Sequence, residues 1–352
     1  MVQPQVAPDE RIRVAIANWA PRFVSQGVDF NDFQRVTSGV ETWPEWLPAW
    51  VGNGDMHAGR AREAEAEGRM LTAGEAWNHA ALSYHFAKFV WMVDMEAYRA
   101  AAEKAVAALR EVHRLLDPLA ERIEIPFEGT AMVGNLRRPI GADRPPLAVL
   151  LPGLDSTKEE FFEWENLFLR RGMATFSLDG PGQGETGYTT YIHPNYEVAV
   201  TAALDYLRWD GPVGLAGVSL GGYYAPRAAA FEPRVKAAAG VSGPFNFGEV
   251  WDGRPSLTKE TFQHHSGASS PEEAREKAFE LDLDGVAQRI RQPLLVVTGK
   301  LDKLVHWQES KKIADAAPNS TWVLYEEGNH VCNNIPYKYR ALVADWLREQ
   351  LR

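Results

Sequence analysis

The 352-residue chain has 45% hydrophobic and 24% charged residues, which excludes a disulfide-stapled miniprotein and argues against a disordered or membrane-embedded protein. Its 37 basic and 47 acidic residues give a formal net charge of -10, so neither nucleic acid nor a membrane surface is expected as a partner. The single cysteine, Cys332, cannot form an intramolecular disulfide, and the N-terminus lacks the basic and apolar regions of a signal peptide. We therefore expect a cytoplasmic protein.

Residues 1–120 are predicted to form a helical N-terminal segment, because apolar residues return at every third or fourth position and strand signals are few. Thr72 and Glu75 have the spacing of a capping box, which predicts a helix that begins at Thr72. A second long helix is predicted from Met95 to Leu116, before Pro118 interrupts the pattern.

Residues 121–352 are predicted to form an α/β domain with a mostly parallel sheet and helices on both faces. Short apolar runs alternate here with amphipathic segments, as in parallel sheets with crossover helices. The interval 244–285 breaks this alternation, and we interpret it as a cap insertion over the carboxyl edge of the sheet. The predicted strands are 122–127, Leu147–Leu151, Ala174–Leu178, Val213–Val218, Val235–Val241, Leu294–Thr298 and Trp322–Tyr325.

A nucleophile elbow is predicted at Gly217-Val218-Ser219-Leu220-Gly221, which matches G-x-S-x-G between a predicted strand and a helix of small residues. Such a sharp turn requires glycines where a side chain would collide with neighbouring backbone. The turn places the Ser219 hydroxyl at the sheet edge, where the N–H of Leu220 can face an oxyanion. Ser219 is therefore the predicted nucleophile.

A serine nucleophile needs a base and an acid that orients the base, and both follow Ser219 in the chain. Asp302 comes directly after the predicted strand Leu294–Thr298, and His330 comes after Trp322–Tyr325. Both are therefore predicted at the same sheet edge as Ser219. Weaker alternatives, which lie in the insertion or at a helix start, are Asp282 or Asp284 for the acid and His306 for the base.

Two further residues follow predicted strands at this edge. The N–H of Leu154, in Leu151-Pro-Gly-Leu-Asp155, is predicted as the second oxyanion donor. Glu249, after Val235–Val241, is predicted to contact the substrate or to act as an acid, and a solvated or structural carboxylate is an equally weighted alternative.

No cofactor or metal is predicted. Gly182-Gln-Gly184-Glu-Thr-Gly187 formally satisfies the dinucleotide-binding pattern G-x-G-x-x-G, but residues 188–194 separate it from the next helix, which such a site would begin at once. The sequence contains no H-E-x-x-H and no cysteine pair, and His264 and His265 are adjacent rather than spaced for one helical face.

With the elbow, Asp302, His330 and the loop Asp179-Gly-Pro-Gly-Gln-Gly184 in register, residues 121–352 resemble an α/β-hydrolase. The preceding helical segment, with its aromatic-bearing helix around Trp77, narrows the resemblance to the branch that includes 2,6-dihydroxypseudooxynicotine hydrolase and FrsA-like esterases.

This resemblance implies a homodimeric serine hydrolase whose N-terminal helices help to cover the site. It carries the catalytic triad over to Ser219, Asp302 and His330. It also makes Glu249 similar to the acidic residue that is associated with carbon–carbon cleavage in the nicotine-degrading member.

The favoured function is hydrolysis of a C–C bond next to a ketone in an aromatic or diketone-like small molecule. A carbanion leaves only if conjugation delocalises it and an acid is near, and Glu249 suits this role if burial keeps its carboxyl protonated. A carboxylesterase or lactonase is the first alternative, and a peptidase or thioesterase leaves no distinctive mark in the sequence. A noncatalytic interaction protein on the same scaffold is a third, against which the complete Ser, Asp and His set argues.

Overall fold

A computed structural model of the chain describes residues 9–352, which form two compact units, residues 9–118 and 119–352. The first eight residues of the predicted helical segment lie outside the described residues. The helices of the first unit are α1 (Glu10–Gln26), α2 (Phe30–Ser38), α3 (Trp46–Ala66), α4 (Met70–Ala87) and α5 (Met95–Leu116). The predicted helical character of this segment is confirmed.

The starts of α4 and α5 follow different rules. Helix α5 begins at Met95 as predicted, and the carboxylate of Asp94 accepts hydrogen bonds from the N–H groups of Glu96 and Ala97, at 2.9 and 3.2 Å. The predicted capping box at Thr72 is wrong, because α4 begins two residues earlier, at Met70, without a side-chain cap. The turn at Gly68, with φ of +78°, leads directly from α3 into α4 and leaves Thr72 inside the first helical turn.

Aromatic side chains fill the core of the helical unit. Phe23 of α1 stacks on Phe86 of α4 with ring centroids 3.9 Å apart, and Trp46 donates its indole N–H to the Phe86 carbonyl at 3.1 Å. Trp50 and Phe89 pack around the same Phe23 ring. Each of these large side chains is almost completely buried, so here the aromatic residues serve as packing material.

The second unit is built on one sheet of eight strands. The strands are β1 (Glu121–Phe127), β2 (Thr130–Arg137), β3 (Leu147–Leu151), β4 (Ala174–Asp179), β5 (Val213–Val218), β6 (Val235–Val241), β7 (Leu294–Gly299) and β8 (Ser320–Tyr325). The helices are α6 (Phe162–Leu169), α7 (Glu197–Leu207), α8 (Gly221–Phe231), α9 (Ser256–His265), α10 (Pro271–Glu280), α11 (Trp307–Ala316) and α12 (Pro336–Gln350).

The strand order is β1-β2-β4-β3-β5-β6-β7-β8, and β2 is antiparallel to both of its neighbours while the six strands from β4 to β8 run parallel. Successive residues of each inner strand point to opposite faces: Val149 packs into one core layer, and Ala148 and Leu150 pack into the other. The predicted mostly parallel α/β fold with helices on both faces is confirmed.

Strand β2 is absent from the predicted strands. Glu128 and Gly129, with φ of +46° and +79°, form the two-residue turn of a β1–β2 hairpin. Gly134 interrupts the apolar pattern of β2, and the structure requires a small residue there because a Cβ would overlap the ring of Phe176 on β4. The contact with Phe176 therefore requires a glycine, and this glycine breaks the apolar pattern by which β2 could have been predicted.

The strand order places a crevice at the carboxyl ends of β3 and β5. Strand β4 lies on one side of β3 and β5 lies on the other, so the chain leaves these two neighbouring strands in opposite directions. The insertion between β6 and β7 contains α9 and α10, and it is joined to the rest of this unit by a 2.8 Å hydrogen bond from the Ile192 N–H to the His265 carbonyl.

Candidate active site

Ser219 lies in a strained turn between β5 and α8. Its φ is +56°, in the left-handed region, and its N–H donates to the Val241 carbonyl at 2.8 Å. A Cβ at Gly221 would overlap the carbonyl oxygen of Leu151, and one at Gly217 would overlap that of Gly221. Both flanking glycines are therefore required by close backbone approach, as the G-x-S-x-G pattern predicts.

The structure brings Ser219, His330 and Asp302 into one hydrogen-bonded chain. Nε2 of His330 lies 2.9 Å from Oγ of Ser219, and Nδ1 lies 2.8 Å from Oδ2 of Asp302. The other oxygen of Asp302 accepts from the N–H groups of Leu304 and Val305, each at 2.9 Å. A buried carboxylate held in this way fixes the proton on Nδ1 and leaves Nε2 free to accept from the serine hydroxyl.

The loop that carries His330 is held by a residue outside the predicted set. Val331 has φ of +57°, and its N–H donates to the hydroxyl of Ser242 at 3.0 Å. Ser242 directly follows β6 and has φ of +52°. The end of β6 thus positions the histidine loop, although a lone serine after a strand gives no sequence signal for this role.

The loop after β3 passes directly against Ser219. A Cβ on Gly153 would lie 3.0 Å from Cβ and 3.4 Å from Oγ of Ser219. Neither the N–H of Leu154 nor that of Leu220 donates a hydrogen bond to any group within residues 9–352. Unpaired N–H groups on the loops that bracket a nucleophile fit an oxyanion hole, and this role for Leu154 and Leu220 stays a prediction.

Gln183 fixes that loop, and the glycine pattern around it gives no sequence signal for this role. Its side-chain N–H groups donate to the carbonyls of Pro152 and Gly153, at 2.8 and 2.9 Å. Its side-chain oxygen accepts from the N–H of Gly180 and the hydroxyl of Tyr196. A buried amide with both ends engaged makes the backbone beside Ser219 rigid.

The glycines around Gln183 shape a turn rather than a helix start. Gly182 and Gly184 have φ of +76° and +46°, and a Cβ on Gly184 would overlap the buried carboxylate of Asp179. That carboxylate pairs with the buried ammonium of Lys158 at 2.9 Å. Helix α7 begins only at Glu197, so the pattern lacks the strand–turn–helix geometry of a dinucleotide site.

Glu249 does not have the buried surroundings that an acid catalyst would need. Its side chain is 50% exposed, and its carboxylate pairs with Lys312 of α11 at 2.6 Å. The burial on which its predicted role as an acid depends is therefore absent, and a contact of Glu249 with the substrate stays a prediction. The position after β6 is as predicted, but α11 supplies a cation that the local sequence does not reveal.

The alternative acid and base candidates lie outside the hydrogen-bonded chain of Ser219. Asp282 accepts from the N–H of Asp284 at 3.0 Å within a turn, and His306 is an exposed residue at the start of α11. Burial raises the pKa of Cys332 to about 12, so its thiol stays neutral and acts in packing.

Across the part of the chain that the structure describes, no three His, Cys, Asp or Glu side chains are grouped to hold a metal ion. Within residues 9–352, no helix is both long and apolar enough to cross a membrane.

A mostly parallel sheet with a serine elbow after β5, an acid after β7 and a histidine after β8 defines an α/β-hydrolase, and the chain is an enzyme of this class. It belongs to the FrsA-like esterase family, whose model matches residues 35–247, and its residues 160–352 also belong to the prolyl oligopeptidase family.

The chain is similar over its whole length to a characterised relative. It is 33% identical to 2,6-dihydropseudooxynicotine hydrolase from Paenarthrobacter nicotinovorans, over 99% of this chain and 95% of that protein. The crystal structure of the 2,6-dihydroxy-pseudo-oxynicotine hydrolase matches with a TM-score of 0.86 and 32% identity, covering 95% of this chain and 96% of that one.

A third similarity concerns the fold alone. AbyA5 superposes with a TM-score of 0.74 at 18% identity, covering 99% of this chain and 95% of that chain. The helical segment and the α/β sheet thus occur together in another chain of low sequence identity.

Proposed function

We propose that this enzyme hydrolyses a C–C bond next to a ketone in an aromatic or diketone-like small molecule, with Ser219 as nucleophile. The observation that carries the proposal is the 2.9 Å contact of Ser219 with His330 in a chain that resembles a pseudooxynicotine hydrolase over its full length. Similarity across both units favours a shared reaction more strongly than similarity of the sheet alone, because one fold serves many reactions.

In the first half of the proposed reaction, Nε2 of His330 takes the hydroxyl proton as Oγ of Ser219 bonds to the carbonyl carbon. The carbonyl π electrons move to its oxygen, and the N–H groups of Leu154 and Leu220 stabilise this oxyanion. Asp302 holds the imidazole and stabilises the positive charge that it acquires.

The tetrahedral intermediate then collapses and the C–C bond breaks. Its electron pair goes to the leaving carbon, where a conjugated ring or a second carbonyl delocalises the charge, and the imidazolium of His330 supplies the proton. Water, deprotonated by His330, next attacks the acyl group on Ser219, releases a carboxylic acid and restores the serine hydroxyl. The half-exposed, ion-paired Glu249 has no proton-donating part in this sequence.

Hydrolysis of a carboxylic ester or lactone is the second candidate. It is favoured by the FrsA-like esterase match over residues 35–247. An alkoxide needs only the proton of His330 to leave, so the same residues would serve both reactions. A noncatalytic scaffold protein is disfavoured, because such a protein has no need of a serine, histidine and aspartate held in hydrogen-bonding geometry.

We further propose that the enzyme works as a homodimer in the cytoplasm on an aromatic small molecule without a cofactor, and that its partners include neither nucleic acid nor membrane. The single cysteine and the net charge of -10 support these assignments, as does the resemblance to a dimeric branch of hydrolases. The covering role of the helical unit stays a prediction.

The test is a panel of hydroxylated aryl ketones and aryl diketones against p-nitrophenyl esters, with products identified by mass spectrometry. We expect kcat/KM for the best ketone to exceed that for any ester. Ser219→Ala is expected to lower both by about 10⁴-fold, with an unchanged circular dichroism spectrum as the folding control. Ester turnover without ketone cleavage would establish the second candidate, and turnover that survives Ser219→Ala would contradict both.

A further inference from the structure

The insertion contains a buried guanidinium that has unused hydrogen-bond donors. Arg254, just before α9, is 7% exposed, and within residues 9–352 its Nε and Nη2 atoms have no hydrogen-bond acceptor. The guanidinium lies 4.0 Å from the ring centroid of Phe247, which holds it in place. A buried charge with unpaired donors is costly, so its presence calls for an explanation.

This guanidinium lies on the side of the sheet that carries the candidate active site. It interacts electrostatically with Asp302 and with Asp155 in the loop after β3. Its ring partner Phe247 belongs to the same buried apolar cluster as Leu154 and Leu220, the predicted oxyanion donors. The charge interactions with Asp302 and Asp155 therefore place Arg254 near the loops that follow β7 and β3.

Two of the carboxylates near Arg254, those of Asp302 and Glu309, already have other hydrogen-bond partners. The carboxylate of Asp302 accepts hydrogen bonds from His330 and from two backbone N–H groups. Glu309, a third charge that acts on Arg254, pairs with Lys312 at 2.6 Å and accepts from the Asn246 N–H. These carboxylates keep a favourable negative potential around the guanidinium but leave its donors available for a ligand.

The two Arg254 nitrogens without an acceptor in the described part of the chain, Nε and Nη2, indicate the chemistry of the ligand that this side chain could bind. Nε and Nη2 share one edge of the planar guanidinium, and their N–H bonds are parallel. This edge binds both oxygens of a carboxylate, or a single phenolate oxygen with both donors. Burial lowers the pKa of Arg254 to about 10, although the three carboxylates oppose this shift, so the group is still positively charged at neutral pH.

We propose that Arg254 binds an anionic oxygen of the substrate, a carboxylate or a phenolate, and so selects anionic over neutral carbonyl compounds. The proposal rests on the proposed function, since this anionic oxygen belongs to the substrate whose carbonyl Ser219 attacks. It makes Arg254 a residue that determines specificity, while bond cleavage itself depends on Ser219, His330 and Asp302.

The kinetic test compares two p-nitrophenyl esters of similar size, one with a terminal carboxylate on the acyl chain and one with a neutral methyl ester there. The measured quantity is kcat/KM for the anionic ester divided by kcat/KM for the neutral ester. We expect Arg254→Met to lower this ratio by about 100-fold, because KM for the anionic ester rises. Arg254→Lys keeps the charge without the two-donor edge and is expected to lower the ratio by about 10-fold. A ratio that stays unchanged in both variants would overturn the proposal.

Arg275→Met is the matched control. Arg275 also lies over a phenylalanine ring in the insertion, 5.2 Å from the centroid of Phe279, but it is half-exposed. This variant is expected to leave the ratio unchanged. An equal loss in Arg275→Met and Arg254→Met would assign the effect to general surface charge and overturn the proposal.

A binding measurement separates this proposal from the proposed function. In the Ser219→Ala protein, calorimetric titration with benzoate and with 4-nitrophenolate distinguishes a carboxylate from a phenolate ligand without any turnover. The proposal is supported if either anion binds and if Arg254→Met weakens that binding by about 100-fold. This result would stand even if ketone cleavage were never observed. Failure of both anions to bind would overturn it even if the ketone and ester panel succeeds.

Thermal stability provides the remaining readout. Removal of a buried, unpaired charge is expected to leave the melting temperature of Arg254→Met at or above that of the parent. A large fall in melting temperature, together with an unchanged anion affinity in Arg254→Lys, would show that the guanidinium supports the insertion structurally and does not bind substrate.

Discussion

Left-handed backbone conformations cluster around Ser219. Ser219, Ser242 and Val331 all have φ between +52° and +57°, a region that costs a non-glycine residue roughly 1–3 kcal/mol. Ser219 donates to Val241, and Ser242 accepts from Val331, so each strained position is held by a hydrogen bond. The molecule thereby gives up some stability to hold Oγ of Ser219 against the imidazole.

Two carboxylates at the same sheet edge allow a matched residue-scale prediction. Asp302→Asn removes the charge that orients His330, so we expect kcat to fall by about 10⁴-fold. Glu249→Gln affects a half-exposed ion pair, so a change below about 10-fold is expected. The measurement is kcat for the best substrate of each class. A loss in Glu249→Gln as large as that in Asp302→Asn would show that Glu249 takes part in proton transfer.

The residues that could be predicted from the sequence are those with local patterns. Ser219 has its glycines, and Asp302 and His330 follow buried strands in the required order. Gln183 and Arg254 act on groups far away in the chain, through a loop after β4 and through the insertion. No local spacing reveals such contacts.

The start of a helix depends on which of its first backbone N–H groups are hydrogen-bonded by a capping side chain. Asp94 satisfies two N–H groups at the start of α5, and the sequence pattern placed this helix correctly. A capping box does occur in the helical unit, between Thr42 and Glu45, where the Glu45 carboxylate accepts from the Thr42 N–H at 3.1 Å. Thr72 and Glu75 match the same pattern but lie inside α4, because the turn at Gly68 sets the start of that helix.

The element-scale prediction compares the real and the apparent cap. Asp94→Ala is expected to lower the free energy of unfolding by about 1 kcal/mol, because two N–H groups lose their acceptor. Thr72→Ala changes an exposed residue within a helix, so a change within about 0.5 kcal/mol is expected. Urea unfolding followed by circular dichroism measures both. A greater loss in Thr72→Ala would contradict the assigned start of α4.

Strand pairing is a property of elements that the sequence pattern conveys only in part. The inner parallel strands are continuous apolar runs and were predicted within a few residues. Strand β2 has a glycine where the ring of Phe176 packs, so its pattern is broken. The helices α9 and α10 lie in the interval predicted as an insertion, but their bounds were not predicted, because turn residues and charges dominate there.

At the scale of the whole molecule, function depends on the order of the strands. Ser219 follows β5, Asp302 follows β7 and His330 follows β8, and these residues meet only because parallel strands end at one edge of the sheet. The alternation of strands and helices predicts the class of fold, whereas the order β4-β3-β5 depends on long-range pairing. The family resemblance supplies that order, since the local pattern does not.

Ser219, activated by His330, is the proposed nucleophile of this hydrolase. The most direct measurement is the reaction of the folded protein with a fluorophosphonate, followed by intact mass and peptide mapping. We predict one phosphonyl group per chain, attached to Ser219, with labelling at least about 10³-fold slower in His330→Ala. A folded protein that remains unlabelled, or that is labelled on another residue, would contradict the account.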